Sequence, residues 1–438
     1  MEVREPSARY ACRPQRVMTE LGELPVDWKV ASLDALDPVV TSGSRGWAAY
    51  YAESGAIFLR ITNLSRSRIY PSVDDLKYVV IPEDNSEGAR TALQIGDVLI
   101  SITADIGMIG WVSPTLSLPA YVNQHIALVR VPSERANSRY LAYFLAGAAS
   151  QRRFKALTDA GAKAGMSLAG VRQQVLVALP SPEDQQAISE ALSDADALIE
   201  SLSRLLAKKR QIKQGAMREL LTGKRRLPGF RDPWGCAKIG DFTDCTAGGT
   251  PSTNIETYWG GDIPWMSSGE LNLKQVHGVE RRITEAGLKN SSTKWLPTGC
   301  VLVGLAGQGK TRGTVAMNRI PLCTNQSIAA IFPVSSFDSE FLYFNLESRY
   351  EELRELSAGD GGRGGLNLQL IRNLEVPAPH LTEQRAIAQV LTDLDLDIAA
   401  VEGRLAKARD IKQGMMQALL TGRIRLTQPT PSTVAVPA

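Results

Sequence analysis

One stretch of the sequence has the residue types and spacing to bind a nucleotide. Gly304–Thr311 reads GLAGQGKT and matches the phosphate-binding pattern G-x-x-x-x-G-K-[ST]. Such a loop must open a helix, because backbone N–H groups and the helix N-terminus together hold the phosphates. The run Val301–Val303 before it is strand-like, but Arg312–Met317 reads as a returning strand. We therefore expect a glycine-rich hairpin carrying Lys310 and Arg312, with a nucleotide-binding loop as the less favoured alternative.

Residues that could bind a metal ion or act as a general base are few. The five cysteines form no C-x-x-C pair, and the three histidines are far apart in the sequence, so zinc-ligand spacing is absent. The odd number of cysteines also argues against a disulfide scaffold. The scarcity of histidine leaves few candidates for a general base, so the sequence does not favour a catalytic chain, and no zinc site is expected.

Composition predicts a soluble protein of several domains. A length of 438 residues predicts two or three domains, and 44% hydrophobic with 22% charged residues is ordinary for globular chains. The net charge of +3 is too small to indicate nucleic acid or membrane by itself, so any basic surface must arise locally. No apolar run reaches the roughly 18 residues of a membrane span, and residues 1–16 lack a signal peptide's apolar core. We expect a cytoplasmic protein.

Two long segments of the chain repeat each other. Glu183–Leu227 and Thr382–Leu426 align without a gap at an offset of 199 residues, and 22 of the 45 positions are identical. The identities include Ile-Lys-Gln-Gly at 212–215 and 411–414, and Leu-Leu-Thr-Gly at the end of each copy. The chain therefore contains two copies of one unit.

Each repeat predicts one long helix. Ser181–Asp184 supplies an N-cap, a proline at the first helical position and acids in the first turn, whereas the second copy starts at Thr382-Glu383. Gly223 and Gly422 mark the ends, where a left-handed residue is favoured. The roughly 40 residues between these limits correspond to about 60 Å of helix.

Apolar residues along both repeats step alternately by four and three, which is typical of a coiled coil. This seam comprises Ile188, Leu192, Ala195, Ile199, Leu202 and Leu206, then Ile387, Leu391, Leu394, Ile398, Val401, Leu405 and Ala408. The alternative is a long core helix of a single globular domain. Two equal helices most economically pack on each other, antiparallel if the intervening domains lie at opposite ends.

Two features of the repeats lie outside this seam. Gly215 and Gly414 sit inside the helices, where glycine costs about 1 kcal/mol relative to alanine. They are either inherited from a duplicated ancestor or mark a close helix crossing, including one with a partner protein. The basic cluster at 208–210 with Lys213 is expected on the helix surface, with partner docking or DNA phosphates as alternatives.

The segments between the helices also resemble each other. Each opens with a proline and a tryptophan and carries a strand-like run, then an Asn-Gln pair, a helix-like stretch and a glycine-rich loop. Short strands bounded by glycine and proline predict an α+β domain of about 150 residues. The loops diverge, and Gly43–Trp47 has no convincing counterpart in Gly248–Pro251. A shared scaffold with divergent loops is typical of two binding domains for different ligands.

This arrangement resembles the specificity (S) subunit of type I restriction-modification systems, in which two target recognition domains alternate with two repeated helices. The phrases similar to that family's repeated region are Glu383–Ile387, Ile411–Met416 and Leu419–Gly422, with weaker copies at Asp184–Ile188 and Ile212–Gly223. The resemblance covers residues 23–426. It implies an α+β fold with two α/β target recognition domains and two long antiparallel coiled-coil helices.

On this resemblance the chain divides into six segments. They are an N-terminal arm (1–22), target recognition domain 1 (23–180), long spacer helix 1 (181–226), target recognition domain 2 (227–379), long spacer helix 2 (380–426) and a disordered tail (427–438).

The resemblance implies a non-catalytic subunit that binds a bipartite, asymmetric DNA target. Each recognition domain would read a few base pairs of one half, while the helices hold the readers apart and dock two methyltransferase (M) subunits. S-adenosylmethionine, ATP and Mg would be bound by the M subunits and the restriction (R) subunits. The chain accordingly has no Asn-Pro-Pro-Tyr motif and no helicase or nuclease signature. The alternatives are a subunit of a methyltransferase-only or other defence system, a P-loop NTPase with a coiled coil, and a structural coiled-coil adaptor.

Phosphate contacts need Lys or Arg on loops, and base contacts need side chains that reach a groove. The candidate DNA-binding residues are Arg45, Arg60, Arg66, Arg68 and Lys163 in the first domain and Lys274, Lys310, Arg312 and Arg363 in the second. For each of them, an ordinary solvated charge is the alternative. The seam residues, together with Gly215 and Gly414, are the candidates for the helix-pair or partner interface.

Overall fold

The structure is a computed structural model that describes residues 15–43, 45–82, 86–159, 165–307, 311–356 and 365–426. Lys163, Lys310, Arg363 and the predicted tail lie outside these residues, and only the backbone of Arg45 is described. The chain divides into two compact units. Unit 1 consists of Met1–Ser203 with Arg404–Ala438, and unit 2 of Arg204–Gly403.

The elements of unit 1 precede the first long helix in the chain. They are β1 (Arg16–Thr19), β2 (Gly22–Pro25), β3 (Lys29–Ser32), β4 (Val39–Ser42), β5 (Tyr51–Ala52), β6 (Ala56–Leu59), β7 (Lys77–Val79), α1 (Ser86–Thr91), β8 (Val98–Ser101), β9 (Ile109–Trp111), β10 (Ala120–Val122), β11 (Ile126–Arg130), α2 (Ser138–Ala146), α3 (Ala148–Asp159), α4 (Leu168–Gln174) and β12 (Leu176–Leu179). Helix α5 (Pro182–Leu220) follows.

Unit 2 continues the chain with a second set of elements. They are β13 (Gly235–Lys238), α6 (Ile239–Phe242), β14 (Cys245–Ala247), β15 (Trp259–Met266), β16 (Gln275–Val276), β17 (Arg281–Ile283), α7 (Glu285–Lys289), β18 (Val301–Gly304), β19 (Val315–Asn318), β20 (Cys323–Thr324), β21 (Ile328–Ile331), α8 (Ser339–Ser348), α9 (Tyr350–Leu356), α10 (Leu368–Asn373), β22 (Glu375–Ala378) and α11 (Leu381–Leu419). Short 3₁₀ helices occupy Leu33–Leu36, Arg45–Tyr50, Ile61–Asn63, Glu256–Tyr258 and Ser268–Leu273.

The central sheet of unit 1 has the strand order β4-β11-β8-β9 and is antiparallel. Successive side chains of a strand point to opposite faces. Val98 and Ile100 therefore join the core that holds Tyr140 of α2, whereas Leu99 joins the core of Val122. A second sheet, β10-β6-β7-β5, lies beside the latter core. Both faces of the central sheet are thus covered; β8 is buried along its whole length, whereas the edge strand β4 begins at the exposed Val39.

Unit 2 has a central sheet of the same design, β14-β21-β18-β19-β16, and a smaller sheet β17-β15-β20. Val301 and Val303 join the core that holds Phe341 of α8, and Leu302 joins the core of Met266. The duplication therefore extends from the helices to the sheets. The predicted mixture of strands and helices is confirmed.

Helices α5 and α11 each have 39 residues. Helix α5 begins at Pro182, as predicted, and Asp184 N donates to Ser181 Oγ over 3.1 Å. Helix α11 begins at Leu381, one residue earlier than expected. Gly223 and Gly422 have φ of 68° and 62°, which confirms the predicted left-handed residue after each helix.

Each unit contains the start of one long helix and the end of the other. In unit 1, Ile188 and Leu192 share a core with Leu419, and in unit 2 Ile387 and Leu391 share a core with Leu220. The two helices therefore run in opposite directions within each unit. All predicted seam residues are buried or half-buried.

The helix glycines do not mark a close crossing within either unit. A Cβ at Gly215 or Gly414 would meet no described atom within 4 Å, and both positions are exposed. The interpretation as a close approach to the other helix is therefore wrong for the described residues. Contact with a partner protein stays a prediction.

Candidate nucleic-acid interface

The segment that matches a nucleotide-binding loop lies in a β-hairpin. Strands β18 and β19 are antiparallel neighbours, with Val301 opposite Met317. Residues 311–314 lead directly into β19, so the described part of the loop opens no helix. The hairpin expectation is confirmed, and the backbone geometry that a phosphate-binding loop requires is not found there.

Three loops meet at one edge of the central sheet of unit 1. They are the hairpin loop 102–108, the turn 123–125 that contains Asn123-Gln124, and residues 165–166 after the glycine-rich loop. The backbone N–H of Ile102 donates to His125 O over 2.9 Å, and that of Met166 donates to Ile102 O over 2.7 Å. We call this meeting point the loop edge of unit 1.

Unit 2 has an equivalent loop edge. It consists of the described hairpin residues 305–307 and 311–314, the turn 325–327, and Gly365 after the second glycine-rich loop. Leu305 N donates to Ser327 O over 2.8 Å, and a Cβ at Gly365 would lie 3.2 Å from Leu305 O. Loops positioned by a rigid sheet are where binding residues concentrate.

The repeated asparagine shapes the turn at each loop edge. Asn123 Oδ1 accepts from His125 N, and Asn325 Oδ1 accepts from Ser327 N, each over 3.1 Å. An asparagine bonded to the backbone two residues ahead forms a local turn without help from neighbouring elements. Both loop edges therefore share the same asparagine turn, although their hairpin loops, 102–108 and 305–314, differ in length and their side chains differ.

Two glycines that sequence comparison did not match are structurally equivalent. A Cβ at Gly43 would lie 1.9 Å from Val122 O, and a Cβ at Gly248 would lie 2.0 Å from Thr324 O. Each glycine follows the first strand of its central sheet and passes against the residue before the Asn-Gln turn. The expectation that Gly43 has no counterpart near Gly248 is wrong, because close backbone approach preserves the glycine while its neighbours diverge.

The three candidate cations of unit 1 whose side chains are described, Arg60, Arg66 and Arg68, are paired with carboxylates. Arg60 lies 2.8 Å from Asp75, and Arg68 lies 4.0 Å from Asp74. Arg66 contacts the hairpin of the loop edge, where it pairs with Asp105 and donates to Ile106 O over 3.0 Å. Exposed pairs of this kind are worth at most about 1 kcal/mol, so a phosphate could replace the carboxylate.

The described candidates of unit 2 lie in two different places. Arg312 belongs to the hairpin of the loop edge. Lys274 instead lies 3.3 Å from Glu347, which also lies 3.4 Å from Lys213 of α5. Lys274 is therefore part of a network at the helices and not of the loop edge.

Two exposed cations near the loop edges were missed by sequence reasoning. Arg90 donates to Thr41 Oγ1 and, over 3.0 Å, to the carbonyl oxygen of the next residue in β4. Lys294 Nζ lies 2.6 Å from Thr246 Oγ1 in β14. Both threonines are on the strands that lead to the crowded glycines. No shared motif surrounds the two cations, because Arg90 is in α1 and Lys294 is in the segment between α7 and β18.

The repeated lysine of each Ile-Lys-Gln-Gly motif forms an ion pair with an aspartate inside its own unit. Lys412 Nζ lies 2.6 Å from Asp196, and Lys213 Nζ lies 2.7 Å from Asp395. Both carboxylates are on the opposite long helix, within the same unit as the lysine. The expectation that the basic cluster lies on the helix surface is therefore wrong for Lys213, whose side chain is only 15% exposed.

Burial changes the acidity of the groups around these lysines. Burial raises the pKa of Tyr143 well above its usual value, and the Asp196 carboxylate beside its hydroxyl adds to the shift. Burial also raises the pKa of Asp395, because desolvation outweighs the attraction of Lys213. Tyr143 of α2 and Asp196 of α5 thus join a long helix to the sheet domain of unit 1.

The described residues contain neither a candidate metal site nor a candidate membrane span. No group of three or more His, Cys, Asp or Glu residues there could hold a metal ion. No helix in the same ranges is both long and apolar enough to span a bilayer.

Comparison with known proteins gives a consistent result. The family described as "Type I restriction modification DNA specificity domain" matches residues 77–211 and 231–409. The type I restriction enzyme MjaIX specificity subunit of Methanocaldococcus jannaschii is 36% identical over 37% of this chain and 38% of its own length. The EcoR124I/EcoR124II specificity subunit of Escherichia coli is 24% identical over 40% and 44% of the two chains. The chain thus aligns with less than half the length of these two relatives.

A solved structure shares the fold along nearly the whole chain. It is the S subunit of a type I restriction-modification system from M. genitalium, with a TM-score of 0.61 at 14% identity. The superposition covers 90% of this chain and 96% of that one.

Proposed function

The chain belongs to the type I restriction-modification DNA specificity family, and from that premise we propose that it reads a bipartite, asymmetric DNA target. In this proposal unit 1 binds one half-site and unit 2 binds the other. The observation that carries it is the pair of corresponding loop edges, which share the asparagine turn and its backbone contact with the hairpin and present different side chains. One scaffold with two sets of loops suits two different short sequences.

Binding would combine two kinds of contact at each loop edge. Exposed cations would hold the phosphate backbone, which supplies affinity but no sequence information. Polar side chains on the turns and hairpins would reach base edges and supply specificity. Arg45, Arg60, Arg66, Arg68, Lys163, Lys274, Lys310, Arg312 and Arg363 stay proposed contacts, with Arg66 and Arg312 best supported by their positions.

The long helices would connect the two readers. Helix α5 passes from unit 1 into unit 2, and α11 passes back. We propose that they form the antiparallel coiled coil expected from the heptad seam and fix the separation of the half-sites. Their exposed faces, including Gly215 and Gly414, would dock two M subunits, through which R subunits join the complex.

The chemistry would belong to those partners. S-adenosylmethionine would be bound by M subunits and ATP with Mg by R subunits, so this chain would act in the cytoplasm as a non-catalytic subunit. The described hairpin residues 301–307 and 311–318 support this division, because they open no helix of the kind that a nucleotide site in this chain would need.

A binding selection tests the proposal. The full chain, assembled with its M subunits, is incubated with randomised duplex DNA, and the retained duplexes are sequenced. We expect a motif of two short, unrelated half-sites separated by a fixed number of unspecified base pairs. Enrichment of one continuous motif, or of none, would contradict the proposal.

A further inference from the structure

The two residues of each Asn-Gln turn use their side chains differently. Asn123 and Asn325 are occupied by the turn itself, since each Oδ1 accepts a backbone N–H. Gln124 is half-buried and Gln326 is exposed, and neither side chain bonds the backbone of the turn within the described residues. The glutamines therefore recur in both units, although their side chains do not stabilise the turn.

A neighbouring histidine orients the amide of Gln124. Its Nε2 lies 2.9 Å from His125 Nε2, and an amide nitrogen can only donate, so the histidine nitrogen accepts. The other ring nitrogen of His125, Nδ1, lies 2.6 Å from Thr103 Oγ1. This chain of bonds uses one amide hydrogen of Gln124. One donor and the carbonyl acceptor remain for a ligand.

The amide of Gln326 is fixed by a different neighbour. Thr250 Oγ1 donates to Gln326 Oε1 over 2.5 Å. The amide hydrogens and the second lone pair of the oxygen remain. Both glutamines thus present a donor beside an acceptor; Gln124 is held by the next residue of its own turn, and Gln326 by Thr250 from the segment that follows β14.

Near each of these turns, a cation contacts a threonine of the strand β4 or β14. Arg90 and Lys294 are exposed and are bonded to the hydroxyl groups of Thr41 and Thr246. A hydroxyl does not neutralise the charge, in contrast to the carboxylates that pair with Arg60 and Arg68. These cations keep their charge for a phosphate beside the turn.

An amide with a donor and an acceptor side by side matches adenine, which presents the N7 acceptor and the N6 donor in the major groove. We propose that Gln124 and Gln326 are base-reading residues, each for an adenine in the half-site of its own unit. In the same assignment Arg90 and Lys294 hold the adjacent phosphates. The inference rests on the proposed function.

Selection from randomised duplex DNA by the assembled complex tests the assignment. Gln124→Ala lowers the preference for adenine at one position of one half-site by about 5- to 100-fold, and the other half-site is unchanged. Gln326→Ala does the same in the opposite half-site. Each variant is the matched control for the other, because the untouched half-site reports that the complex is folded.

Gln124→Arg separates readout from a folding defect. Arginine pairs with guanine O6 and N7, so adenine is replaced by guanine at that position, a gain that a damaged turn cannot produce. Arg90→Ala weakens binding to all sequences alike and lowers the slope of log affinity against log salt by about 1. A slope or a base preference that does not change in these variants contradicts the assignment.

The outcomes distinguish this inference from the proposed function. If the wild-type complex enriches no split motif, the proposed function fails and the inference with it. If the wild-type complex enriches a split motif but Gln124→Ala, Gln124→Arg and Gln326→Ala retain every adenine preference, the inference is overturned and the proposed function stands.

Discussion

The ammonium group of Lys412 lies 2.6 Å from the carboxylate of Asp196, and the side chains are 9% and 10% exposed. Lys213 and Asp395, each offset by 199 residues, repeat the contact in unit 2. The lysine of each repeat therefore meets the aspartate of the other repeat. This exchange explains why both Ile-Lys-Gln-Gly motifs retain the lysine.

Removal of this buried lysine should destabilise unit 1 strongly. Lys412→Ala leaves the Asp196 carboxylate buried without its partner, which typically costs about 3 to 5 kcal/mol. Lys209→Ala removes an exposed pair with Asp397 and should cost at most about 1 kcal/mol. Unfolding in urea, followed by circular dichroism, measures both free energies. Equal losses in the two variants would contradict the assigned burial.

Two glycines at the end of α11 should respond to alanine in opposite directions. Gly422 has φ of 62°, and a Cβ there would lie 2.4 Å from Pro25 Cγ, so Gly422→Ala should cost at least about 1 to 2 kcal/mol. The methyl group added by Gly414→Ala would point into open space on a helix, so this variant should stabilise the free chain by up to about 1 kcal/mol. Thermal unfolding compares the two variants.

The same alanine at Gly414 tests partner docking. If an M subunit packs against the exposed glycine, Gly414→Ala should weaken assembly of the complex while the free chain becomes more stable. Sedimentation of the complex measures the assembly. Unchanged assembly would leave the glycine as an inherited residue without a role in docking.

The cysteines should differ sharply in reactivity. Burial raises the pKa of the Cys300 and Cys323 thiols to about 12, so at pH 8 only about one thiol in 10,000 is ionised. The reactive form is the thiolate, and Cys236 is exposed. Peptide mapping after brief iodoacetamide treatment should find Cys236 modified, and Cys300 and Cys323 modified only after unfolding. Rapid modification of Cys300 in the folded chain would contradict its burial.

Lengthening both helices should lengthen the unspecified gap in the target. One heptad inserted after Arg204 in α5 and one after Gly403 in α11 preserve the four-three seam and add about 10 Å of helix. At about 3.4 Å per base pair, the gap should grow by about three base pairs with both half-sites unchanged. Duplex selection measures the gap. If the gap did not change in an assembled complex, the helices would not set the separation of the half-sites, and their role would be to dock the M subunits.

Sequence reasoning located the parts of the fold that local rules determine. The caps at Ser181 and Gly223 and the heptad seam define the long helices without reference to the rest of the chain. The hairpin at 301–318 followed from the strand pattern on both sides of its glycines. Such elements depend on residues close in sequence, so their pattern is visible.

Other parts depend on partners distant in sequence and could not be predicted. Lys213 was expected on the surface because the carboxylate that binds it, Asp395, is far along the chain. Gly43 and Gly248 match because each passes close to a backbone carbonyl oxygen. In the sequence this contact is visible only as a single glycine in each unit. The Asn-Gln pair was visible as a repeat in the sequence. Only the contacts of the glutamines with His125 and Thr250 show that the role of the glutamine differs from that of the asparagine.

Exchange of one recognition domain tests the central claim most directly. Residues 23–180 are replaced by the corresponding domain of another member of the family, and adenine methylation is mapped across the genome of cells carrying the chain with its M subunits. Two independent readers predict that one half of the methylated motif changes while the other half is retained. A motif that changes in both halves, or in neither, would contradict the assignment of one half-site to each unit.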